Sequence, residues 1–166
     1  MYRIICKYAV LVVPLLTLFG CQYDPWANGY LTTAPSEKDI VGKYTPDAAS
    51  LKQQIKLPMS GELLPVQPSA TIVLSNDHSA QFSRVPADHD GNQPCSITGQ
   101  GTWRVEQNRG RYYSVYVRIH NRESNSPCDT EFNWPLLLYG KRPPYKLHHV
   151  IDDPDLGLVV QFEKQH

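Results

Sequence analysis

The chain is 166 residues long, with 16 basic side chains, 16 acidic ones and four cysteines. A balanced charge excludes the strongly basic face that nucleic-acid binding requires. The length suits one domain, able to bury about two thirds of its unfolded surface.

The amino terminus sets Arg3 and Lys7 ahead of an apolar run from Tyr8 to Phe19, interrupted by Pro14. A transmembrane helix needs about 20 apolar residues. A run of 12 behind positive charge instead reads as the hydrophobic region of a secretory signal over residues 1–20. It closes on Leu18-Phe19-Gly20-Cys21, which resembles the lipobox of bacterial lipoproteins. The resemblance implies cleavage after Gly20, diacylglycerol on the Cys21 sulfur, and acylation of the new amino terminus by a palmitate-like chain. Two or more acyl chains anchor stably, at about 0.8 kcal/mol per buried CH₂. Gln22, in the position after the lipid cysteine, implies the outer membrane of a Gram-negative envelope, facing the periplasm.

Removal of residues 1–20 takes Arg3, Cys6 and Lys7 away and leaves a net charge of −2. With Cys21 carrying lipid, Cys95 and Cys128 remain as an even pair in an oxidising space. They are expected to form a disulfide closing a loop of about 33 residues, worth roughly 3–4 kcal/mol in the chain-entropy model. The alternative is two buried free thiols. Neither cysteine has another Cys or a His at metal-site spacing, so no metal and no cofactor are expected.

Residues 21–36 contain Asp24-Pro25, Asn28-Gly29 and Ala34-Pro35-Ser36 and lack periodicity, which reads as a lipidated flexible tether. A single β domain over 37–166 follows. Ile40 to Tyr44 is a first short strand. Thr45-Pro46-Asp47 opens a possible helix, with Pro at its first position. Ala70 to Ser75 and Ala80 to Val85 form a hairpin around Asn76-Asp77-His78. Val85 to Cys95 reads as a polar loop turning at Asp88-His89-Asp90-Gly91. Gly99 to Glu106 and Arg111 to His120 form the clearest hairpin. In its second arm Tyr113, Val115, Val117 and Ile119 share one face, and Tyr112, Ser114, Tyr116 and Arg118 the other. Asn121 to Asp129 reads as a loop. Phe132 to Gly140, Tyr145 to Ile151 and Leu158 to Glu163 complete the strands, with Pro135 placing the first at an edge or bend. Seven to eight antiparallel strands with at most one short helix predict a mainly β domain, a small barrel or a sandwich.

Gly42-Lys43-Tyr44 and Gly101-Thr102-Trp103 each set Gly two residues before an aromatic on a strand. This is similar to the G-x-W of lipocalin-type barrels, whose aromatic plugs one barrel end. The resemblance implies a barrel and carries no ligand.

No catalytic motif appears: the chain has no G-x-S-x-G, no H-E-x-x-H and no glycine-rich phosphate loop. His148-His149 precedes Asp152-Asp153-Pro154-Asp155, but Pro154 and its flanking carboxylates are turn chemistry. His149 shares a face with Tyr145, Leu147 and Ile151 and reads as a half-buried core histidine. Asp88-His89-Asp90 beside Gly91 reads as solvated loop. The outer face carrying Tyr112, Tyr116 and Arg118 is the candidate ligand or partner surface. The expectation is a non-enzymatic envelope protein that binds a small amphipathic ligand or a protein partner. An inhibitor or immunity lipoprotein against a hydrolase such as lysozyme is the alternative, resting on Ser60-Gly61 where such inhibitors carry Ser-Gly-x-x-Tyr, although Leu64 stands in the Tyr position. An envelope hydrolase would need His149 gathered with carboxylates in a cleft.

Overall fold

The computed structural model describes residues 24–57, 60–89, 93–108, 111–122, 133–151 and 157–165. The expected signal segment, Cys21, Cys128 and the turn expected at Asp152–Asp155 lie outside them. The strands are β1 (Gly42–Pro46), β2 (Ile55–Lys56), β3 (Leu63–Leu64), β4 (Thr71–Leu74), β5 (Ser79–His89), β6 (Gln93–Asn108), β7 (Tyr112–Arg122), β8 (Asn133–Tyr139), β9 (Lys146–Val150) and β10 (Val159–Lys164). Eight of them close an antiparallel barrel in the order β1-β10-β9-β8-β7-β6-β5-β4, while β2 and β3 pair separately. Apart from that small ladder, every strand pairs with its sequence neighbours, an up-and-down closure that removes sheet edges.

Alternating polarity sets which face of each strand turns inward. Trp103 lies opposite Val117, and Val105 opposite Val115. Trp103, Val115, Val117 and Ile119 are all buried in the core cluster, with Val117 only 2% exposed. Tyr44, Ile72, Phe82, Leu136, Leu138, Leu147 and Phe162 occupy the interior from the other strands. Gly101 makes one close approach possible: a Cβ there would lie 2.1 Å from the Arg118 carbonyl oxygen, at the bulge where the β6–β7 register shifts. Pro135 sits where β8 pairs with Tyr116 of β7 but precedes the β8–β9 ladder, which begins at Leu137. Its missing N–H therefore costs nothing on that side.

Both barrel ends are covered. At the end carrying the β4–β5 turn, Trp103 donates its indole N–H to Ser75 O at 2.9 Å, and its main-chain N–H to His78 O. Tyr44 donates its hydroxyl to Ile40 O, joining the first strand to the segment that crosses this end. At the other end the chain between β1 and β4 crosses with Ile55, Leu57 and Leu64 buried.

Four local expectations change. Two short helices form, α1 (Glu37–Ile40) and α2 (Ala48–Lys52), where at most one was expected. Pro46 ends β1, and Asp47 caps α2 by accepting the Ser50 N–H at 2.7 Å. A side-chain acceptor at the helix start satisfies an amide that the helix leaves free. The expected loop from Val85 to Cys95 is mostly strand: β5 and β6 pair from Val85↔Ile97 to His89↔Gln93. Likewise β7 runs through Asn121 to Arg122. Cross-strand pairing there outweighs polar composition.

The largest change concerns the expected tether. From Asp24 to Leu31 the chain is packed on the barrel, while Thr32, Thr33 and Ala34 are exposed. Residues 24–31 form a strap on the outer face of β8 and β9, with a single 3₁₀ turn at Ala27–Gly29. Gly29 O accepts from Gly140, and Leu31 lies between β7 and β8, donating to Leu138 O at 2.9 Å and accepting from Tyr113 at 2.8 Å. The Leu31 side chain is 3% exposed and belongs to the core. Turn-rich composition hid this, because the strap's bonds are made to distant strands and leave no periodic signature. Leu31→Ala is therefore expected to lower unfolding free energy by about 2–4 kcal/mol in chemical denaturation. A change within a few tenths of a kcal/mol, as at a solvated tether residue, would contradict this placement.

Candidate functional site

The expected surface of Tyr112, Tyr116 and Arg118 divides into two regions. Tyr112 faces the strap: its ring lies 5.1 Å from Tyr30, tilted by 60°. Tyr116 instead faces the open outer wall of β6 and β7. The Arg104 guanidinium stacks over its ring at 4.5 Å, and Arg104 Nε donates to Glu106 at 2.5 Å. Arg118 is exposed and lies opposite Thr102, whose hydroxyl pairs with His120 Nε2 at 3.1 Å. Arg104, Tyr116, Arg118, Thr102 and His120 thus form one polar, aromatic face. Strand alternation forces these side chains outward because their neighbours in the chain fill the core.

Under the strap lies a second cluster, which sequence reasoning missed. His148 stacks on Tyr139 at 4.1 Å and 11°, and meets Trp26 and Tyr30 edge-on at 5.3 and 5.8 Å. Gly29 lets the strap approach: a Cβ there would fall 2.0 Å from the Tyr139 ring. Trp26 donates its indole N–H to Gly157 O at 3.2 Å. The buried Tyr30 hydroxyl bonds the Asp24 carboxylate, and burial followed by that charge raises its pKa.

Below the ring a polar chain runs from β9 to α2. His148 Nε2 bonds Gln161 Oε1 at 2.7 Å, and the Gln161 amide N–H donates to Asp47 Oδ2. Because Gln161 donates to Asp47, its oxygen accepts from His148, so the neutral ring carries its proton on Nε2. Ser50 Oγ accepts the Gln161 main-chain N–H at 2.9 Å, and Lys146 pairs with Glu163 at 2.6 Å. Burial pushes the His148 pKa down to about 4, with nearby Lys146 adding to the effect against Gln161 and Asp47. A buried base this weak takes up few protons at neutral pH, and its ring contacts with Trp26 and Tyr30 hold the strap against the barrel.

His149 points into the barrel. Its Nε2 donates to Pro86 O at 2.8 Å, and its ring stacks on Trp134 at 4.4 Å. It is buried, not half-buried, and burial depresses its pKa to about 4. No carboxylate joins it among the described residues, so the expected conditions for a hydrolytic His–Asp site are not assembled there. No group of His, Cys, Asp and Glu side chains suited to a metal is present among the described residues. Cys95 is the one cysteine among them. It sits opposite Ala87 on β6 and is disulfide-bonded, so its partner lies outside them. Asp88 and His89 belong to β5.

Both buried histidines are neutral when folded and have ordinary values near 6.5 when unfolded. Stability is then fully present above pH 6.5 and is lost as pH falls toward 4, because the unfolded chain takes up the protons first. The loss is on the order of 3 kcal/mol per histidine. Melting temperature should fall between pH 7 and pH 4.5, and less steeply in His148→Gln. An equal fall in wild type and His148→Gln would contradict the neutral, buried state of His148.

Comparison with known proteins finds no matching family model, no matching characterised protein and no matching solved structure.

Proposed function

We propose that the chain is a non-enzymatic, lipid-anchored protein of the bacterial outer membrane that faces the periplasm and binds a protein partner through the outer wall of β6 and β7. The observation that carries the binding reading is the division of chemistry between the two faces of the barrel. Large apolar side chains occupy the interior and both ends are covered, whereas Arg104, Tyr116, Arg118 and His120 face outward. Tyrosine and arginine are the side chains that most often anchor protein interfaces. This favours a protein over a small amphipathic ligand held inside the barrel. The anchoring reading rests on Leu18-Phe19-Gly20-Cys21 behind the apolar run. The bonded state of Cys95 fits an oxidising compartment. With Cys6 removed and Cys21 acylated, its partner is Cys128.

A second reading, an inhibitor of an envelope hydrolase such as lysozyme, draws on the β2–β3 turn. Ser60 Oγ accepts the Glu62 N–H there, and the adjacent Leu63 is 54% exposed. Inhibition of lysozyme by the purified protein, lost in Ser60→Asp, would favour it.

Three measurements test the main reading. Cys21→Ser should leave an unprocessed precursor or release the protein from the membrane fraction; a mature-size band still in membranes would refute the anchor. Non-reducing peptide mass spectrometry should link Cys95 to Cys128, and free thiols in periplasmic protein would contradict the pairing. A photo-crosslinking side chain at Arg118 should capture a discrete protein in cells that Tyr116→Ala no longer captures. Equal capture from exposed Lys43 of β1, across the barrel, would refute the surface.

A further inference from the structure

We infer that the mature protein has almost no tether, and that its short link holds the strap-bearing flank of the barrel flush against the phospholipid surface. This rests on the proposed acylation of Cys21. Only Gln22 and Tyr23 lie between Cys21 and Asp24, whose side chain and carbonyl are bonded within the strap. Three chain steps span at most about 11 Å. A folded domain of this size has a radius of gyration of about 15 Å. The link is thus shorter than the body it carries, and the domain has no freedom to turn an arbitrary face to the bilayer.

No slack is available beyond Asp24. Its side chain accepts the Trp26 N–H at 2.8 Å, and its carbonyl accepts from Ala27. Trp26 is pinned to Gly157, and Gly29 and Leu31 are hydrogen-bonded to the barrel wall. A flexible tether over 21–36 would instead reach about 20 Å on average and leave the domain free to tumble. The surface beside the anchor also suits the interface. Pro25 is exposed, and Trp26 is partly exposed with its indole nitrogen bonded. An aromatic with an apolar body and a satisfied polar tip is the side chain enriched at the bilayer–water boundary. The occupant of this flank is therefore the leaflet that holds the lipid. The β4–β5 wall, half a turn around the barrel, faces the aqueous side.

The test uses the full acylated chain in vesicles of phosphatidylethanolamine and phosphatidylglycerol. A fluorophore is attached at Asn28→Cys on the flank or at Gln81→Cys on β5, both exposed positions. Quenching by headgroup spin-labelled lipid should be at least several-fold stronger at residue 28 than at residue 81. Insertion of about 20 Gly and Ser residues between Gln22 and Tyr23 should bring the two to the same level, with the melting temperature unchanged. Equal quenching at both sites in the parent, stronger quenching at residue 81, or an undiminished difference after insertion would overturn the inference. Protein that fails to float with the vesicles would instead refute the acylation on which it depends.

Discussion

The barrel wall parts at one end between β7 and β8, and the peptide of Leu31 fills the gap. The β7–β8 ladder stops at Ser114↔Leu137. Beyond it Leu31 donates to one strand and accepts from the other, while its side chain enters the core. Buried amides and carbonyls left unpaired would each cost about 1–3 kcal/mol. This contact makes the segment from Asp24 to Leu31 part of the domain, places Trp26 and Tyr30 over β8 and β9, and brings the fold to within three residues of Cys21.

The rest of the strap's hold comes from shape and desolvation. Tyr139 and His148 provide a flat aromatic floor, and Trp26 and Tyr30 meet it edge-on. Such pairs add about 0.5–1.5 kcal/mol beyond their buried area. The cost is a histidine sealed from water. His148 meets it by staying neutral and bonding Gln161, which bonds Asp47, which caps α2. Strap, barrel wall and α2 are therefore linked through one polar chain, and weakening any member exposes the others to water.

Legibility in the sequence followed the range of the interactions. The strand from Arg111 to His120 could be read because alternation is local: Val115, Val117 and Ile119 had to share a face, and they do so inside the barrel. The hairpin through Asn76-Asp77-His78 was legible because Asp77 makes its bond within the turn, to the Ser79 N–H at 2.9 Å. The strap was not legible, because Leu31 finds its partners more than 80 residues away in Tyr113 and Leu138. The same holds for the His148–Gln161–Asp47 chain, which joins three elements. The polar residues of Val85 to Cys95 concealed strand because their backbone pairing depends on register and not on side-chain polarity. For the candidate surface, facing direction was legible for Tyr112, Tyr116 and Arg118. Alternation has no means of showing that Tyr112 would be claimed by Tyr30.

Amide hydrogen exchange tests the central claim most directly, because it reads the bonds that Leu31 closes. In the mature protein near neutral pH, the amides of Leu31 and Tyr113 should exchange as slowly as that of Val117 in the middle of β7, opening only with the domain. Exchange of the Leu31 amide at the rate of an unstructured chain, with Val117 still protected, would show that the segment is a tether after all.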